Sequence, residues 1–308
     1  MSETSFFELQ NQLFELFSLE KFDEVHSLIE KAEKDYPDRL DKTLFWKACV
    51  FSLQGKEEQA ILALDEGLQR GIWWNPTKLT MDEDLKRLQT REDFKGIVNR
   101  CKEILENQHQ KSSPELFTFG NERSDTGIFS LHWRGSNVKD FAPYWFDESL
   151  LNQFLLVFPQ SSQIFGYNAY CWDDQQIAVK DVSDLFGAFK KKYRTKQDII
   201  AGASQGGKLA IELCLKEELL ETKGFIAVIP AIQDVSGFEN LLKGNGKPKK
   251  GCIITGNQDP FYKKTVELVK MFEAQQFPCK LIVKEGLGHF FPDDFPKLLK
   301  DAVTFVLT

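Results

Sequence analysis

The spacing of apolar residues changes once along this chain. Over 1–110, apolar positions recur every three to four residues, as in amphipathic helices, and no strand-like run is evident. From about residue 111, short apolar runs alternate with longer helix-like segments, as in a sheet whose strands are connected by helices. We therefore predict an all-α domain over 1–110 and an α/β domain over 111–308, joined at the polar stretch 106–115.

Short apolar runs mark the predicted strands of the second domain. These runs lie at 115–120, 127–133, 154–159, 198–203, 224–230, 251–256 and 279–285. Because helix-like segments such as 182–193 and 261–276 separate the later runs, the strands are expected to pair mostly in parallel. Functional residues are then expected in the loops beyond the carboxyl ends of the strands.

Two stretches of the predicted helical domain resemble each other. One begins at Ser18 and the other at Ser52, and 52 − 18 = 34 residues is the period of tetratricopeptide repeats. The apolar faces align one residue later, so the match requires a one-residue insertion. The aligned positions are Val25, Ile29 and Ala32 in the first stretch and Ala60, Leu64 and Gly67 in the second. The Trp and Tyr positions of that repeat family are not met. The region resembles a tetratricopeptide-like domain, which would offer a surface to a protein partner; a plain helical bundle is the alternative.

Composition narrows the possible partners and location. The 308 residues carry a net charge of −7 with a pI near 5.4, which argues against nucleic acid as a partner. No apolar run of about 18 residues is present, so no membrane span is predicted. The six cysteines form no Cys-x-x-Cys pair, and the N-terminal residues do not read as a signal peptide. We therefore expect a cytoplasmic protein with reduced thiols.

Three predicted strand ends carry a serine, an aspartate and a histidine, in that order. Ser204 lies between Gly202 and Gly206 after the run 198–203, Asp259 follows 251–256, and His289 follows 279–285. Ser-Asp-His is the chain order of an α/β-hydrolase triad, in which the serine occupies a sharp turn flanked by small residues.

Each of these residue types has a chemical reason. A serine hydroxyl is a weak nucleophile until a base removes its proton, and histidine, with an ordinary pKa of about 6.5, is suited to that near neutral pH. A carboxylate on the other ring nitrogen fixes the tautomer and stabilises the imidazolium. The sequence therefore indicates Ser204 as nucleophile, His289 as base and Asp259 as its orienting acid.

Structural explanations compete with each of these assignments. Gly-x-Ser-x-Gly alone is a weak signal, and a single histidine is more often structural. Asp259 precedes Pro260, so it is also suited to capping a helix. No other acid lies between Gly251 and Pro260, and the three residues in this order favour the catalytic interpretation.

Four motifs together resemble the α/β-hydrolase superfamily. They are AGASQGG, SLHWRGSN, TGNQDP and GLGHFFP, and within the superfamily they are most similar to esterases of the phospholipase/carboxylesterase and dienelactone-hydrolase-like types. The resemblance covers about 115–308. It implies an α/β-hydrolase fold with a mostly parallel central sheet, no metal or organic cofactor, and the triad roles for Ser204, Asp259 and His289.

The same motifs indicate where an oxyanion would bind. The N–H after the nucleophile belongs to Gln205, at a helix start where negative charge is favoured. By the resemblance, Arg134 supplies a second N–H, with Trp133 as the alternative donor. The family usually has glycine where this chain has Trp133, which leaves the second donor open. The Arg134 side chain is expected either to be solvated or to meet an acidic group of the substrate.

Aromatic residues are candidates for the pocket walls. The residues favoured for substrate contact are Trp133, Tyr167, Trp172 and Phe290; further candidates are Phe165, Tyr170, Tyr144, Trp145 and Phe291. Because 27 of 308 residues are Phe, many aromatics are expected in the core instead.

The leading hypothesis is a serine hydrolase that cleaves a small-molecule carboxylic ester or thioester through an acyl-enzyme. Two alternatives stay open at this point: a peptidase of the same fold, and a protein-binding scaffold whose hydrolase domain is vestigial.

Overall fold

A computed structural model describes residues 6–216, 221–242 and 249–308 of the chain. Contacts divide the chain into two compact units, Met1–Lys111 and Ser112–Thr308. The first five residues of the predicted helical domain lie outside the described residues.

The first unit is helical throughout its described part. Its helices are α1 (Phe6–Ser18), α2 (Phe22–Asp35), α3 (Leu40–Leu53), α4 (Glu57–Gln69), α5 (Pro76–Met81) and α6 (Glu92–His109), with 3-10 turns at Pro37–Arg39 and Glu83–Leu88. Since α2 begins at Phe22 and α4 at Glu57, they are 57 − 22 = 35 residues apart, which includes the inserted residue that the alignment required. The aligned apolar positions of both helices are buried, as predicted. The tetratricopeptide character of the helices stays a prediction.

The second unit is built on one twisted sheet. Its strands are β1 (Glu115–Gly120), β2 (Thr126–Leu131), β3 (Leu155–Gln160), β6 (Gln197–Ala203), β7 (Gly224–Val228), β8 (Lys250–Gly256) and β9 (Cys279–Lys284), with β4 (Ile164–Gly166) and β5 (Ala169–Tyr170) forming a separate hairpin. The sheet order is β1-β3-β2-β6-β7-β8-β9. Only the β1–β3 pair is antiparallel in this described sheet. The prediction of a mostly parallel sheet is therefore confirmed.

Helices connect the strands and cover both faces of the sheet. They are α7 (Val138–Phe141), α8 (Glu148–Gln153), α9 (Gln175–Lys192), α10 (Gln205–Leu215), α11 (Ser236–Leu241), α12 (Tyr262–Ala274) and α13 (Phe295–Leu307), with a 3-10 turn at Ala142–Trp145. One apolar core joins the sheet to α9, α10 and α12. The other joins its opposite face to α7, α8 and α13. Burial on both faces explains why the central strands read as continuous apolar runs.

The structure differs from the predicted strands at two places that matter for the site. Strand β2 ends at Leu131, so His132 and Trp133 belong to the loop that follows it. The β4–β5 hairpin was not predicted, because strands of three and two residues carry almost no periodicity. Asn168, between these strands, has a φ of 47°, a conformation that asparagine tolerates better than most residues.

No helix in the described ranges is long and apolar enough to cross a membrane.

A buried ion pair gives a test of the second unit. Lys190 donates to the Asp198 carboxylate, whose side chain is 2% exposed and also accepts a 2.6 Å hydrogen bond from Thr195. Lys190→Met leaves this carboxylate buried without a cation, so we expect the free energy of unfolding to fall by about 3 kcal/mol. Urea unfolding measures it. Lys180→Met, which breaks the exposed pair with Asp184, is the control and is expected to change stability far less; equal losses would contradict the prediction.

Candidate active site

Ser204 occupies a strained turn between β6 and α10. Its φ is 52° and its ψ is −116°, in a region that residues with a Cβ rarely adopt, at a cost of about 1–3 kcal/mol. The backbone is held there on both sides: Ser204 N–H donates to Val228 O, and Ser204 O accepts from Ala231 N–H, each at 3.0 Å. The turn therefore presents the Ser204 side chain at the carboxyl end of the sheet.

Two glycines make this turn possible, as the sequence predicted. A Cβ on Gly202 would lie 2.4 Å from Gly206 O, and a Cβ on Gly206 would lie 2.3 Å from Leu131 O and 2.5 Å from His132 O. These distances are far below normal contact. The first turn of α10 therefore lies directly against the end of β2 and the loop that follows it.

Ile229 is a second strained residue beside the turn, and sequence reasoning missed it. It has a φ of 41°, a genuine outlier for a β-branched residue, and is 1% exposed. Its N–H donates to Ile254 O at 2.7 Å. Ile229 lies between Val228 and Ala231, whose backbones hold Ser204, so its conformation belongs to the support of the serine. An isoleucine carries no sequence signal for a positive φ.

His289 and Asp259 lie beside Ser204 in one chain of hydrogen bonds. His289 Nε2 is 2.8 Å from Ser204 Oγ, and His289 Nδ1 is 2.8 Å from Asp259 Oδ2. The Asp259 side chain is fully buried, whereas that of His289 is 29% exposed. The structure therefore brings together all three residues that the sequence selected.

Asp259 does not cap α12 as the sequence offered, because the helix begins at Tyr262 with Phe261 as its N-cap residue; Asp259 instead binds the backbone of that residue. Its Oδ1 accepts from Phe261 N–H at 2.7 Å, just before α12 begins, while Oδ2 faces the imidazole. The Phe261 ring makes an edge contact with the His289 ring, with centroids 5.2 Å apart. Both carboxylate oxygens are thus used, which fixes the orientation of the imidazole's partner.

The loop that carries His289 lies directly on the end of β8. A Cβ on Gly256 would be 1.9 Å from Leu287 O, so this glycine permits the approach. Gln258 N–H donates to Leu287 O at 3.1 Å, and Gly286 N–H donates to Asn257 Oδ1 at 2.8 Å. These bonds tie the histidine loop to the aspartate loop.

Gln205 directly follows Ser204, and the loop that carries Trp133 and Arg134 begins where the first turn of α10 lies against the end of β2. Within the described residues, the N–H groups of Gln205, Trp133 and Arg134 donate to no protein acceptor, whereas Gly135 N–H donates to Tyr170 O at 2.8 Å. Gln205 is the first residue of α10, where helical N–H groups lack intrahelical partners. The close contact at Gly206 brings the loop after β2 beside this helix start.

His132, in the motif SLHWRGSN, holds that loop in place. Its ring is buried: Nδ1 contacts Trp133 O at 2.9 Å, and Nε2 accepts from Ser161 N–H at 3.3 Å. His132 O accepts from the indole N–H of Trp172 at 2.9 Å. Burial lowers the pKa of His132 to about 4, so the ring is neutral at physiological pH and Nδ1 is its donor.

The Arg134 side chain turns to a protein carboxylate. Its Nε and Nη2 donate to Asp173 Oδ1 and Oδ2 at 2.8 and 2.7 Å, and its guanidinium lies 4.5 Å from the centroid of the Phe165 ring. The hydrogen bonds from Arg134 hold the pKa of Asp173 below its ordinary 3.8. The side chain is half-exposed but its charge is paired, so it is not available to anchor an acidic substrate.

The candidate pocket aromatics divide into two groups. Trp133 and Phe290 are half-buried and contact each other, with ring centroids 6.1 Å apart, and both contact Tyr144. Tyr167 is half-buried in the turn between β4 and β5, and Phe165 and Tyr170 lie in these strands. The remaining three candidates are buried, with exposures of 0% for Trp145, 5% for Trp172 and 6% for Phe291. Trp172 therefore supports the loops instead of lining a pocket mouth, because its indole N–H is used by His132.

One group of possible metal ligands lies in the helical unit. The ligand atoms of Cys49, Asp82 and Asp84 all lie within 4.8 Å of one another. Asp82 already serves as a helix cap, accepting from Asp84 N–H at 3.1 Å. Burial, followed by the two carboxylates, raises the pKa of the Cys49 thiol well above 9.0. The cap made by Asp82 gives this arrangement a structural role in the helical unit.

Comparison with known proteins agrees with this architecture. A family model described as the A/B hydrolase-like, N-terminal domain matches residues 5–109. Among solved structures, an uncharacterized protein from Bacillus cereus ATCC 10987 is 26% identical, with 98% of each chain covered and a TM-score of 0.56. Esterase PE8 is 18% identical, covering 63% of this chain and 99% of its own, with a TM-score of 0.50. A phospholipase/carboxylesterase from Dyadobacter fermentans DSM 18053 is 21% identical, covering 63% and 97%, with a TM-score of 0.46. A search of the curated proteins finds no match.

The family model, the likeness to esterase PE8 and the sheet order define the class. The chain has an α/β-hydrolase-like fold with a mostly parallel central sheet, preceded by an N-terminal helical region. The superfamily resemblance stated from the motifs is therefore confirmed at the level of fold.

The contact at Gly206 gives a test of the serine turn. Gly206→Ala forces the new methyl group into the carbonyls after β2, so we expect a loss of about 2 kcal/mol in stability. Displacing the turn should also slow the reaction of Ser204 with a fluorophosphonate by about 100-fold. Gly187→Ala, on the exposed face of α9 with nothing within 4 Å of the new Cβ, is the control and should stabilise by up to about 1 kcal/mol. A Gly206→Ala variant as stable and reactive as wild type would contradict the contact.

The neutral His132 predicts a pH dependence of stability. In the unfolded chain this ring binds a proton below about pH 6.5, whereas in the folded chain it does so only near pH 4. Protonation therefore favours unfolding, and the contribution of His132 is present above about pH 6.5 and lost as the pH falls to about 4. We expect wild type to lose about 3 kcal/mol more than His132→Asn between pH 7 and pH 4. Urea unfolding at each pH measures this, and parallel curves for the two proteins would contradict it.

Proposed function

We propose that this chain is a serine hydrolase that cleaves carboxylic esters or thioesters through an acyl-enzyme on Ser204. The observation that carries the proposal is the hydrogen-bond chain from Ser204 through His289 to Asp259, with both links at 2.8 Å. Nucleophile, base and orienting acid within hydrogen-bond reach are the geometric requirement of this chemistry.

The two ring nitrogens of His289 have different partners, which gives Ser204, His289 and Asp259 their proposed roles. Nδ1 faces a buried acceptor, Asp259, so the ring carries its proton there and leaves Nε2 free to accept the Ser204 proton. When Ser204 Oγ attacks the carbonyl carbon, His289 takes this proton and then donates it to the leaving alcohol or thiol. Water, activated by the same nitrogen, then attacks the acyl-enzyme and releases the acid.

The negative oxygen of the tetrahedral intermediate needs fixed donors. We propose Gln205 N–H as the first, since it points from the start of an 11-residue helix and has no acceptor in the described structure. The second comes from the loop after β2, where Arg134 N–H and Trp133 N–H are both free. Arg134 stays the first choice and Trp133 the alternative, as the sequence indicated.

The surroundings of the triad favour an uncharged, apolar acyl group. Trp133, Phe290 and Phe261 are half-buried aromatics next to the reacting residues, and Phe261 contacts the base itself. The nearby charge of Arg134 is paired with Asp173, which removes the reason to expect an acidic substrate. Trp133, Phe290 and, from the β4–β5 turn, Tyr167 are the residues we propose for contact with the acyl group.

Location and partners are proposed from less specific features. All six cysteines are free and five are buried, which suits the reducing cytoplasm that the sequence predicted. The helical unit is the part we propose for contact with a protein partner.

Labelling with a fluorophosphonate tests the nucleophile. We expect wild type to be labelled once, and Ser204→Ala to lose both the label and at least about 10⁴-fold of its esterase activity, because the attacking oxygen is gone. The control is Ser236→Ala, which removes a hydroxyl that donates to Asp234 at the start of α11. It should keep both the label and the esterase activity. Labelling that persists in Ser204→Ala, or a wild type that is never labelled, would refute the serine-hydrolase assignment.

Substrate class is tested on the same enzyme with two matched panels. We expect p-nitrophenyl esters and the corresponding thioesters to be cleaved, with kcat/KM rising as the acyl group becomes larger and more apolar. Aminoacyl p-nitroanilides should be cleaved far more slowly. The reverse order would favour the peptidase alternative and would leave the labelling result unchanged.

A further inference from the structure

The β4–β5 hairpin and the residues just after it contact both segments that carry the proposed oxyanion donors. Gly135 N–H donates to Tyr170 O at 2.8 Å, and Tyr170 N–H donates to Ser136 O at 2.7 Å, so β5 extends along the loop after β2. Trp172 N–H donates to Gln205 Oε1 at 2.9 Å, which connects the same segment to the start of α10. The hairpin segment, 163–174, thus bridges the two.

One carboxylate completes this bridge. Asp173 Oδ1 accepts from Arg134 Nε at 2.8 Å and from Gln205 Nε2 at 2.7 Å, while Oδ2 accepts from Arg134 Nη2 at 2.7 Å. A carboxylate has room for four such donors, and bidentate pairing with arginine fixes its plane as well as its position.

The side chains that Asp173 holds belong to the residues whose backbone N–H groups are the proposed donors. The Gln205 amide is clamped at both ends, by Trp172 N–H on its oxygen and by Asp173 on its nitrogen. The Arg134 guanidinium is held by Asp173 on its edge and by the Phe165 ring on its face. These contacts restrict the side chains of both residues, and the bond from Gly135 N–H to Tyr170 O holds the backbone directly after Arg134.

Exposure indicates what this arrangement contributes. The Arg134 and Asp173 side chains are 51% and 43% exposed, and an ion pair so open to water adds little to stability. Its geometric effect is separate from its energy, because a misplacement of about 1 Å at a reacting centre costs about 100-fold in rate.

From these contacts we infer that Asp173 is a positioning residue, which holds Arg134 and Gln205 so that their backbone N–H groups point together at the oxyanion. The inference rests on the proposed function. It also gives Arg134 a role that the sequence did not offer, in place of solvation or contact with an acidic substrate.

The inference predicts a defect in kcat without a defect in binding. In Asp173→Asn the bidentate contact and the charge are lost, and one amide oxygen cannot serve all the donors, so the two N–H groups lose their alignment. We expect kcat for a p-nitrophenyl ester to fall by about 10- to 100-fold, with KM changed less than about twofold. Binding of a boronic acid, whose adduct with Ser204 has an oxygen in the oxyanion position, should weaken by the same factor.

A second variant and a control keep the test decisive. Arg134→Gln should show the same kcat defect, and the double variant should be no worse than the single ones, because both break one arrangement. Asp184→Asn removes a carboxylate of the same unit that also binds a lysine at 2.7 Å, and should leave kcat unchanged. If Asp173→Asn does not fold, Arg134→Gln alone carries the test.

The outcomes separate this inference from the proposed function. If wild type is labelled and active, and Asp173→Asn and Arg134→Gln both have the kcat of wild type, the positioning role alone is overturned. A rise in KM at constant kcat overturns it too, since that marks a substrate-binding residue. A wild type that neither reacts with fluorophosphonate nor cleaves esters overturns both.

Discussion

The candidate active site of the second unit depends on one close approach, in which the first turn of α10 lies against the end of β2. It exists because Gly206 has no Cβ; any other residue would put an atom 2.3 Å from Leu131 O. The approach sets the φ of 52° at Ser204 and places Gln205 beside the loop of Trp133 and Arg134. The same contact therefore positions the proposed nucleophile and the proposed oxyanion donors, and a change that separates the two segments is expected to displace both.

Asp259 and Asp173 have different proposed roles near this contact, and the difference follows from how deeply each carboxylate is buried. Asp259 is fully buried and its Oδ2 lies 2.8 Å from Nδ1 of His289, so it fixes the orientation of the imidazole. Asp173 is 43% exposed and faces a permanent cation, so it contributes geometry more than energy. His132, in the loop after β2, stays neutral, since burial lowers its pKa to about 4. The region around Ser204 thus holds paired charges, which suits an uncharged substrate.

The sequence predicted the sheet and selected the three residues that the structure brings together because both leave local signals. Buried parallel strands read as apolar runs, and Ser204, Asp259 and His289 each follow such a run. The supporting residues leave no such signal. Asp173 and Gln205 meet across 32 positions of the chain, and Ile229 adopts a positive φ that its side chain disfavours. The sequence also favours Trp172 as a pocket residue, since an aromatic side chain in a pocket and one buried under a loop have the same sequence signal; its contacts in the structure distinguish the two.

The sheet order also explains why the loop that carries His289 must extend past two strands to place the histidine beside Ser204. Ser204 follows β6 and His289 follows β9, with β7 and β8 between them. The histidine loop crosses this distance by lying on Gly256, the last residue of β8, which only a glycine permits. The same loop is hydrogen-bonded to the loop of Asp259, so the segments that carry Asp259 and His289 are held together beside Ser204. The intervening β7 contributes Val228 O and, through the strained Ile229, the Ala231 N–H that hold the serine backbone. Each strand from β6 to β9 therefore has a part in the site, and the strain at Ser204 and Ile229 persists because the buried cores on both faces of the sheet stabilise the strands that impose it.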